Sequence, residues 1–574
     1  MKKKVIIVGG VAGGASAAAR LRRINEEIEI VIYEKGEYIS FANCGLPYYI
    51  GEIIEERSNL LVQTPASMEA RFNLDVRVNT EVIEINREKK EIIAKDLKSK
   101  NTYKDNFDYL ILSPGAEPFK PSLEGIDNEN VFTLRNIPDT DKIKAYVDHE
   151  EPERAVVVGG GYIGLEMAHN LIERGIQVSI VEMLDQVLNP LDYEMASLVH
   201  HHLRKKGVNL FLADGLQGIK ESEERTELIL QSGEKISTDL VILSIGVKPS
   251  VELANKAGLE IGSSGGIKVN DYLQTTDENI YAIGDAIEVK DLVNGNAALM
   301  PLAGPANKQG RIAANNICGK KEKYMSTQGT AIAKVFDMTI ATTGNNEKEL
   351  KKSNIEYQVS YTNSNNHASY YPGAESMWIK LIFSDNGKVL GAQIVGYEGV
   401  DKRIDVLATA IRHGLTVYDL QELELAYAPP YGSAKDPVNM AGYVAGNILD
   451  SIVELIHWDK IDELSEDVLF LDVREKIEIK FGKLKNSINI PLNQIRNNLN
   501  KLDKNKEIVV YCAVGLRGYI AYRILKANGF KNVKNLAGGY SLYSSVKNDK
   551  QDDLNLADNI EISTISNPEE AKGL

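Results

Sequence analysis

Short, unbroken apolar runs, each ended by a glycine or an acid, set the rhythm of this 574-residue chain. Val5-Ile6-Ile7-Val8 leads into Gly9-Gly10-Val11-Ala12-Gly13-Gly14, an alanine-rich segment follows to about Ile24, and Ile28 to Tyr33 ends at Glu34. Apolar runs of this length without alternation predict strands buried on both faces of a parallel sheet, and the segment between them predicts the crossover helix. The same order returns in Ala155 to Val158, Gly159-Gly160-Gly161-Tyr162-Ile163-Gly164, a helix, and Val178 to Val181 ending at Glu182. Tyr109 to Leu112 runs into Ser113-Pro114-Gly115-Ala116, Leu240 runs to Gly246, and Asn279 to Ile283 ends at Gly284-Asp285. His200-His201-His202 continues into Leu203-Arg204-Lys205-Lys206; adjacent helical residues point in different directions, so the run is expected to be a solvated helix end rather than a metal site.

A glycine loop between a buried strand and a helix lets backbone approach a pyrophosphate, and the helix N-terminus faces it with partial positive charge. An acid at the end of the next strand is placed for a ribose hydroxyl. Val11 stands where the middle glycine of the first motif belongs; the second motif is complete. Glu182, with no Arg close behind it, favours NADH and leaves NADPH as the lesser option. The candidate cofactor-binding residues are Gly9, Gly10, Ala12, Gly13, Gly14, Glu34, Lys35, Gly115, Gly159, Gly161, Tyr162, Ile163, Gly164, Glu182 and Gly246.

A composition of 43% hydrophobic and 26% charged residues is that of a folded protein, and the length requires several domains. The net charge of -15 argues against a general nucleic-acid surface but not against local basic pockets. Three cysteines without a Cys-x-x-Cys pair point away from zinc and disulfide frameworks and toward a reducing, cytoplasmic setting. The apolar run at the start stops at Gly9-Gly10, too short for a membrane span or signal peptide.

Two of the cysteines carry candidate chemistry. Cys44 stands in Ser40-Phe41-Ala42-Asn43-Cys44-Gly45-Leu46-Pro47-Tyr48, and no second cysteine follows where a Cys-x-x-x-x-Cys pair would place it; Tyr49 is there. Cys512 follows the apolar run Ile508 to Tyr511 and opens Cys512-Ala513-Val514-Gly515-Leu516-Arg517-Gly518, with a helix expected over Tyr519 to Ala527. Strand, cysteine, loop and helix in that order turn backbone amides toward one sulfur, and Arg517 adds a charge. Cys318 closes an expected helix and receives no role.

Over roughly residues 1–448 these motifs resemble the two-dinucleotide-domain flavoprotein disulfide reductases. SFANCGLPY, the Tyr370-Tyr371-Pro372-Gly373 turn and AYAPPY ending at Tyr431 are similar to the single-cysteine coenzyme A-disulfide reductases. Ala12 stands where peroxide-using members carry His. Residues 458–548, with Asp472-Val473-Arg474 and Asn489-Ile490-Pro491-Leu492, resemble a rhodanese.

The resemblance implies an α/β fold and makes Gly284 and Asp285 cofactor-binding residues, at the ribityl-phosphate region of the flavin. FAD-binding segments would lie at 1–119 and 247–324, an NAD(P)H-binding domain at 120–246, and an α+β dimerisation domain at 325–448. A linker at 449–457, the rhodanese domain and an acidic flexible tail at 549–574 would complete the chain. It implies a homodimer in which Tyr427 and Lys435 reach the partner's site. It places Ser16, Arg20, Arg23, Ser40, Asn43 and Lys435 near coenzyme A, and Arg71 is a further basic candidate for its phosphates. Cys44 and Cys512 would be the reacting thiols, with Tyr370 preferred over Tyr371 beside Tyr427. Proximity to the flavin and to a helix N-terminus would lower the Cys44 pKa. The implied activity is NADH-driven reduction of small-molecule coenzyme A persulfides, polysulfides or disulfides. An NADH oxidase or peroxidase, and a non-catalytic redox sensor or sulfur-relay protein, are the alternatives.

Overall fold

The computed structural model describes residues 3–221 and 225–555. The chain divides into two compact units: Met1–Asp192 with Arg204–Asp450, and Tyr193–Leu203 with Ser451 onward.

In the first unit, a five-stranded parallel sheet runs in the order Ile280–Ala282, Tyr109–Leu112, Lys4–Val8, Glu29–Tyr33, Asp75–Arg77. The strand at 280–282 pairs with one about 170 positions earlier, because a domain is inserted between them. The inserted part has its own parallel sheet, in the order Asn209–Phe211, Gln177–Val181, Arg154–Val158, Leu240–Leu243, Val131–Thr133. Val5, Ile6, Ile7, Val156 and Val157 are at most 1% exposed, which is why these strands read as unbroken apolar runs.

The helix Ala12–Ile24 packs against Ala303–Ile317, so closely that a Cβ on Gly310 would lie 2.4 Å from the Gly13 carbonyl oxygen. A third, antiparallel sheet follows in the order Ala331–Val335, Met338–Gly344, Val389–Gly396, Ser376–Phe383, Gln358–Asn365. Helices Val400–His413 and Pro437–Leu449 share its apolar core. Two buried ion pairs lie in this region. Lys380, fully buried, binds Asp192 at 2.8 Å and also pairs with Glu347. Burial pushes the Glu347 carboxyl up, but the Lys380 ammonium overrides it and holds the group at about 2. Arg403 and Asp436 pair at 2.7 Å, both at most 3% exposed, and Asp436 also caps the helix Pro437–Leu449 through the Val438 N–H.

The second unit holds a parallel sheet ordered Leu455–Ile456, Val533–Leu536, Ile508–Tyr511, Leu469–Asp472, Ile488–Asn489. The helix Leu516–Ala527 starts three residues before the position expected from the sequence. Gly515, at φ +116°, turns the chain into it, and Leu516 is exposed, so no apolar periodicity marks the true start.

The histidine run is not a solvated helix end. His200 is fully buried and His202 is 5% exposed. His200 Nδ1 lies 2.7 Å from Asp549 Oδ2, Tyr193 donates to the same oxygen at 2.9 Å, and the Ser197 and Ser545 hydroxyls pair at 2.9 Å. The last helix, Gly539–Asn555, therefore runs into the stretch expected to be a flexible tail, since Asp549 is fully buried; 556–574 lie outside the described residues. Among the described residues no helix is long and apolar enough to cross a membrane.

Asp436→Ala strands the Arg403 guanidinium in the interior and removes a helix cap. It is expected to cost about 3–5 kcal/mol, read as a lowered unfolding midpoint of this region. Glu347 is held below its unfolded value, so its contribution is complete above about pH 4.5 and declines as pH falls toward 2. Glu347→Gln should remove that acid-side slope from a titration of thermal stability.

Candidate functional site

The two glycine loops are built to one plan. Gly9 and Gly159 take φ of +97° and +108°, conformations that favour glycine. A Cβ on Gly14 would fall 1.9 Å from the Gly9 carbonyl oxygen, and one on Gly164 would fall 2.0 Å from that of Gly159. Glu34 accepts from the Gly10 and Gly36 N–H groups at 2.9 and 2.8 Å; Glu182 accepts from Gly160 and Leu184 at 2.7 and 2.8 Å. Each carboxylate therefore holds its own loop.

Gly161 and Gly246 face open space, where even an added Cβ would meet nothing. Ile163, Met183 and Leu184 stand exposed beside the second loop. These open surfaces fit a nucleotide laid across each loop. Ala12 and Tyr162 open the two following helices, as the motifs require. Gly284 donates to Gln309 Oε1 at 2.7 Å, and Asp285 beside it is pushed up by burial, partly offset by Arg135. Gly115, at φ +73°, turns next to that same arginine. Lys35 is paired with Glu117 on the surface, so its charge is already matched.

Cys44 lies on a short turn, Asn43–Gly45, directly before the helix Leu46–Ile50, and is exposed. The segment is fastened to the first loop: Ser40 donates its N–H to the Gly10 carbonyl at 2.9 Å and adopts φ +45°, a strained conformation for a side-chain-bearing residue. Asn43 Oδ1 is buried without a partner.

The chain's own groups favour the protonated thiol. Burial pushes it up, and the Glu166 and Asp285 carboxylates push it further. Glu166 was not singled out from the sequence; its signal is its place two residues after Gly164. Burial raises Glu166 to about 7, against the opposing hydrogen bond from Tyr48 at 3.4 Å.

A cleft of about 360 Å³ brings together Ser16, Arg20, Arg23, Ser40 and Arg71, five of the seven residues expected at a phosphorylated ligand, and adds Arg311. Four guanidiniums around one small-molecule-sized cleft suit a polyphosphate. Arg22, between two of them in sequence, is buried instead and donates to the Phe72, Asn73 and Glu26 carbonyls. Asn43 and exposed Lys435 do not line the cleft. The Tyr370 and Tyr427 hydroxyls pair at 2.9 Å, while Tyr371 packs edge-on against His367.

In the second unit Cys512 is 1% exposed, and the Gly515 N–H donates to its Sγ at 3.2 Å. Gly539 packs against the Cys512 and Ala513 carbonyls, leaving no room for a Cβ. Arg517 is not a free charge: it forms a two-pronged pair with Glu478 at 2.7 and 2.6 Å. Arg474 of the Asp-Val-Arg motif is buried, bonded twice to Asp472 and stacked over Tyr540 at 4.4 Å, a structural rather than a reactive group.

Comparison with known proteins agrees with this geometry. The model of the pyridine nucleotide-disulphide oxidoreductases matches residues 3–310, that of their dimerisation domain 330–437, and that of the rhodanese-like domain 457–545. The coenzyme A disulfide reductase of Staphylococcus haemolyticus is 36% identical over 78% of this chain and all of its own. Among solved structures, the Bacillus anthracis CoADR-RHD in its reduced form superposes with a TM-score of 0.93 at 54% identity, over 96% of this chain and 99% of that one. A NAD-dependent persulfide reductase from A. fulgidus gives 0.89 at 41% identity, over 94% and 99%. The protein belongs to the pyridine nucleotide-disulphide oxidoreductases, in a form that carries the family's dimerisation domain and a C-terminal rhodanese-like domain.

Proposed function

We propose that this protein uses NADH to reduce sulfane sulfur on coenzyme A, as persulfide, polysulfide or disulfide, through Cys44, with Cys512 carrying sulfur. The observation that carries the reading is the arginine-lined cleft, which shares Ser40 with the strained segment leading to Cys44. A ligand with phosphates at one end and a reactive sulfur at the other fits that arrangement, and the relatives named above include a coenzyme A disulfide reductase and a persulfide reductase.

FAD, held by the first loop with Glu34 and Asp285, supplies when bound a two-electron relay between a nicotinamide on the second loop and a sulfur centre. The chain's own residues do the rest. Arg20, Arg23, Arg71 and Arg311 hold the phosphates and so place the ligand's sulfur. The Cys44 thiolate attacks a sulfur of the substrate, the S–S bond breaks, and the electron pair leaves with hydrosulfide or a thiolate. Two-electron reduction of the resulting sulfur–sulfur bond at Cys44 returns the thiolate.

The Tyr370–Tyr427 hydroxyl pair is placed to orient a departing thiolate or pass it a proton, and the hydrogen bond that pushes the Tyr370 phenol up holds that proton until a basic thiolate arrives. In this reading the protein is a cytoplasmic homodimer, and Tyr427 and Lys435 serve the partner's cleft. Glu182 sets the preference for NADH.

The deciding experiment is stopped-flow reoxidation of the NADH-reduced enzyme by coenzyme A persulfide, coenzyme A disulfide, polysulfide and oxygen. The sulfur acceptors should be fastest; oxygen outrunning all of them would make the protein an oxidase. Cys44→Ser should keep bound flavin and its reduction by NADH but lose turnover with every sulfur acceptor. Glu166→Gln removes a carboxylate that opposes the Cys44 thiolate. Because Glu166 ionises near pH 7, alkylation of Cys44 should then titrate to lower pH than in the unmodified protein, with the difference confined to pH values above about 7.

A further inference from the structure

The charges around Cys512 cancel in pairs. Arg517 lies within electrostatic reach of the thiol, but both its outer nitrogens are taken by Glu478. Arg474 also reaches Glu478 electrostatically, and it is matched by Asp472. Two guanidiniums and two carboxylates leave no net positive charge in this set.

Glu478 is itself fixed. The Glu475 N–H donates to its Oε2 at 2.8 Å, and the Arg517 pair holds it below the ordinary carboxylate range despite burial, so it stays ionised at neutral pH. Apolar side chains stand open on both sides of the ion pair, and the exposed Lys476 and Lys480 share the Glu478 segment. Ile477 and Phe481 on the Glu478 side are 47% and 67% exposed; Leu516 and Ile520 on the Arg517 side are 61% and 38% exposed.

Such a rim disfavours a small dianion. An inorganic donor such as thiosulfate must bring two charges beside Cys512 and release sulfite, which an unmatched guanidinium at the thiol would favour. An organic persulfide brings an apolar arm, which the rim can cover.

Resting on the reading of Cys512 as a sulfur carrier, we propose that Glu478 is a specificity-determining residue. By occupying Arg517 it turns the module away from dianionic oxyanion donors and toward organic persulfides. In the transfer itself the Cys512 thiolate attacks the outer sulfur of the donor. A new S–S bond forms at Cys512, the donor's S–S bond breaks, and the electron pair leaves as thiolate from an organic persulfide or as sulfite from thiosulfate. No external oxidant or reductant is required.

The test uses the full-length protein and Glu478→Gln, loaded in parallel with thiosulfate and with pantetheine persulfide. Persulfide on the Cys512 peptide is followed by mass spectrometry. The glutamine frees the Arg517 charge, so the ratio of thiosulfate to pantetheine-persulfide loading rates should rise at least tenfold. An unchanged ratio, whether both rates move together or neither moves, overturns the proposal while leaving the carrier reading intact. Loading of Cys512 by neither donor in the unmodified protein would instead sink the carrier reading, and this proposal with it. If the glutamine variant fails to fold, Glu478→Asp serves. One methylene shorter, its carboxylate falls short of Arg517 from the same backbone position, and an unchanged ratio there has the same meaning.

Discussion

The reductase unit depends on one small device used twice: a carboxylate at the end of a strand that accepts backbone N–H groups from the neighbouring glycine loop. Glu34 does this for Gly10, and Glu182 for Gly160. Each loop must double back over its strand, and the close approach of Gly14 to Gly9, or of Gly164 to Gly159, leaves no space for a side chain. Loop amides tied to a charged acceptor are held before any ligand arrives, so less ordering remains to be done on binding. The Cys44 segment inherits that rigidity through the Ser40 to Gly10 hydrogen bond.

The two cysteines proposed to react are set up in opposite ways. Cys44 is exposed and faces carboxylates, which favour its protonated form until something positive or electron-poor is beside it. That arrangement suits a thiol whose reactivity should wait for the bound partners. Cys512 is buried at a loop entering a helix and receives a backbone N–H. Its environment is complete without any ligand, as a resting carrier of an anionic sulfur would need.

Much of this was legible in the sequence where one residue type has one physical use. Gly9, Gly14, Gly159 and Gly164 announced the loops, and the unbroken valine and isoleucine runs announced the buried parallel strands. The cleft was legible through Ser16, Arg20, Arg23, Ser40 and Arg71, although the motifs gave no hint of Arg311, which comes from a helix nearly 300 positions on. What stayed hidden were pairings between distant residues. Arg517 reads as a free cation until Glu478 is found against it, and Lys35 until Glu117 is. The Cys44 thiol reads as activated until Glu166 and Asp285 are placed beside it. His200 reads as solvated because its partner, Asp549, lies 349 positions away in a stretch whose composition suggests a loose tail.

That last pairing bears on how the chain is made. Ser197 and Ser545, hydrogen-bonded in the finished protein, are separated by 348 positions. A ribosome adding about 5–20 residues per second takes on the order of tens of seconds to cover that distance. Throughout that interval the helix Tyr193–Lys205 exists without the last helix, and the faces of His200 and Ser197 that it will cover stand open. The second unit is therefore completed only once the helix Gly539–Asn555 has been made, and until then the nascent chain carries a half-polar helical face that the last helix later covers.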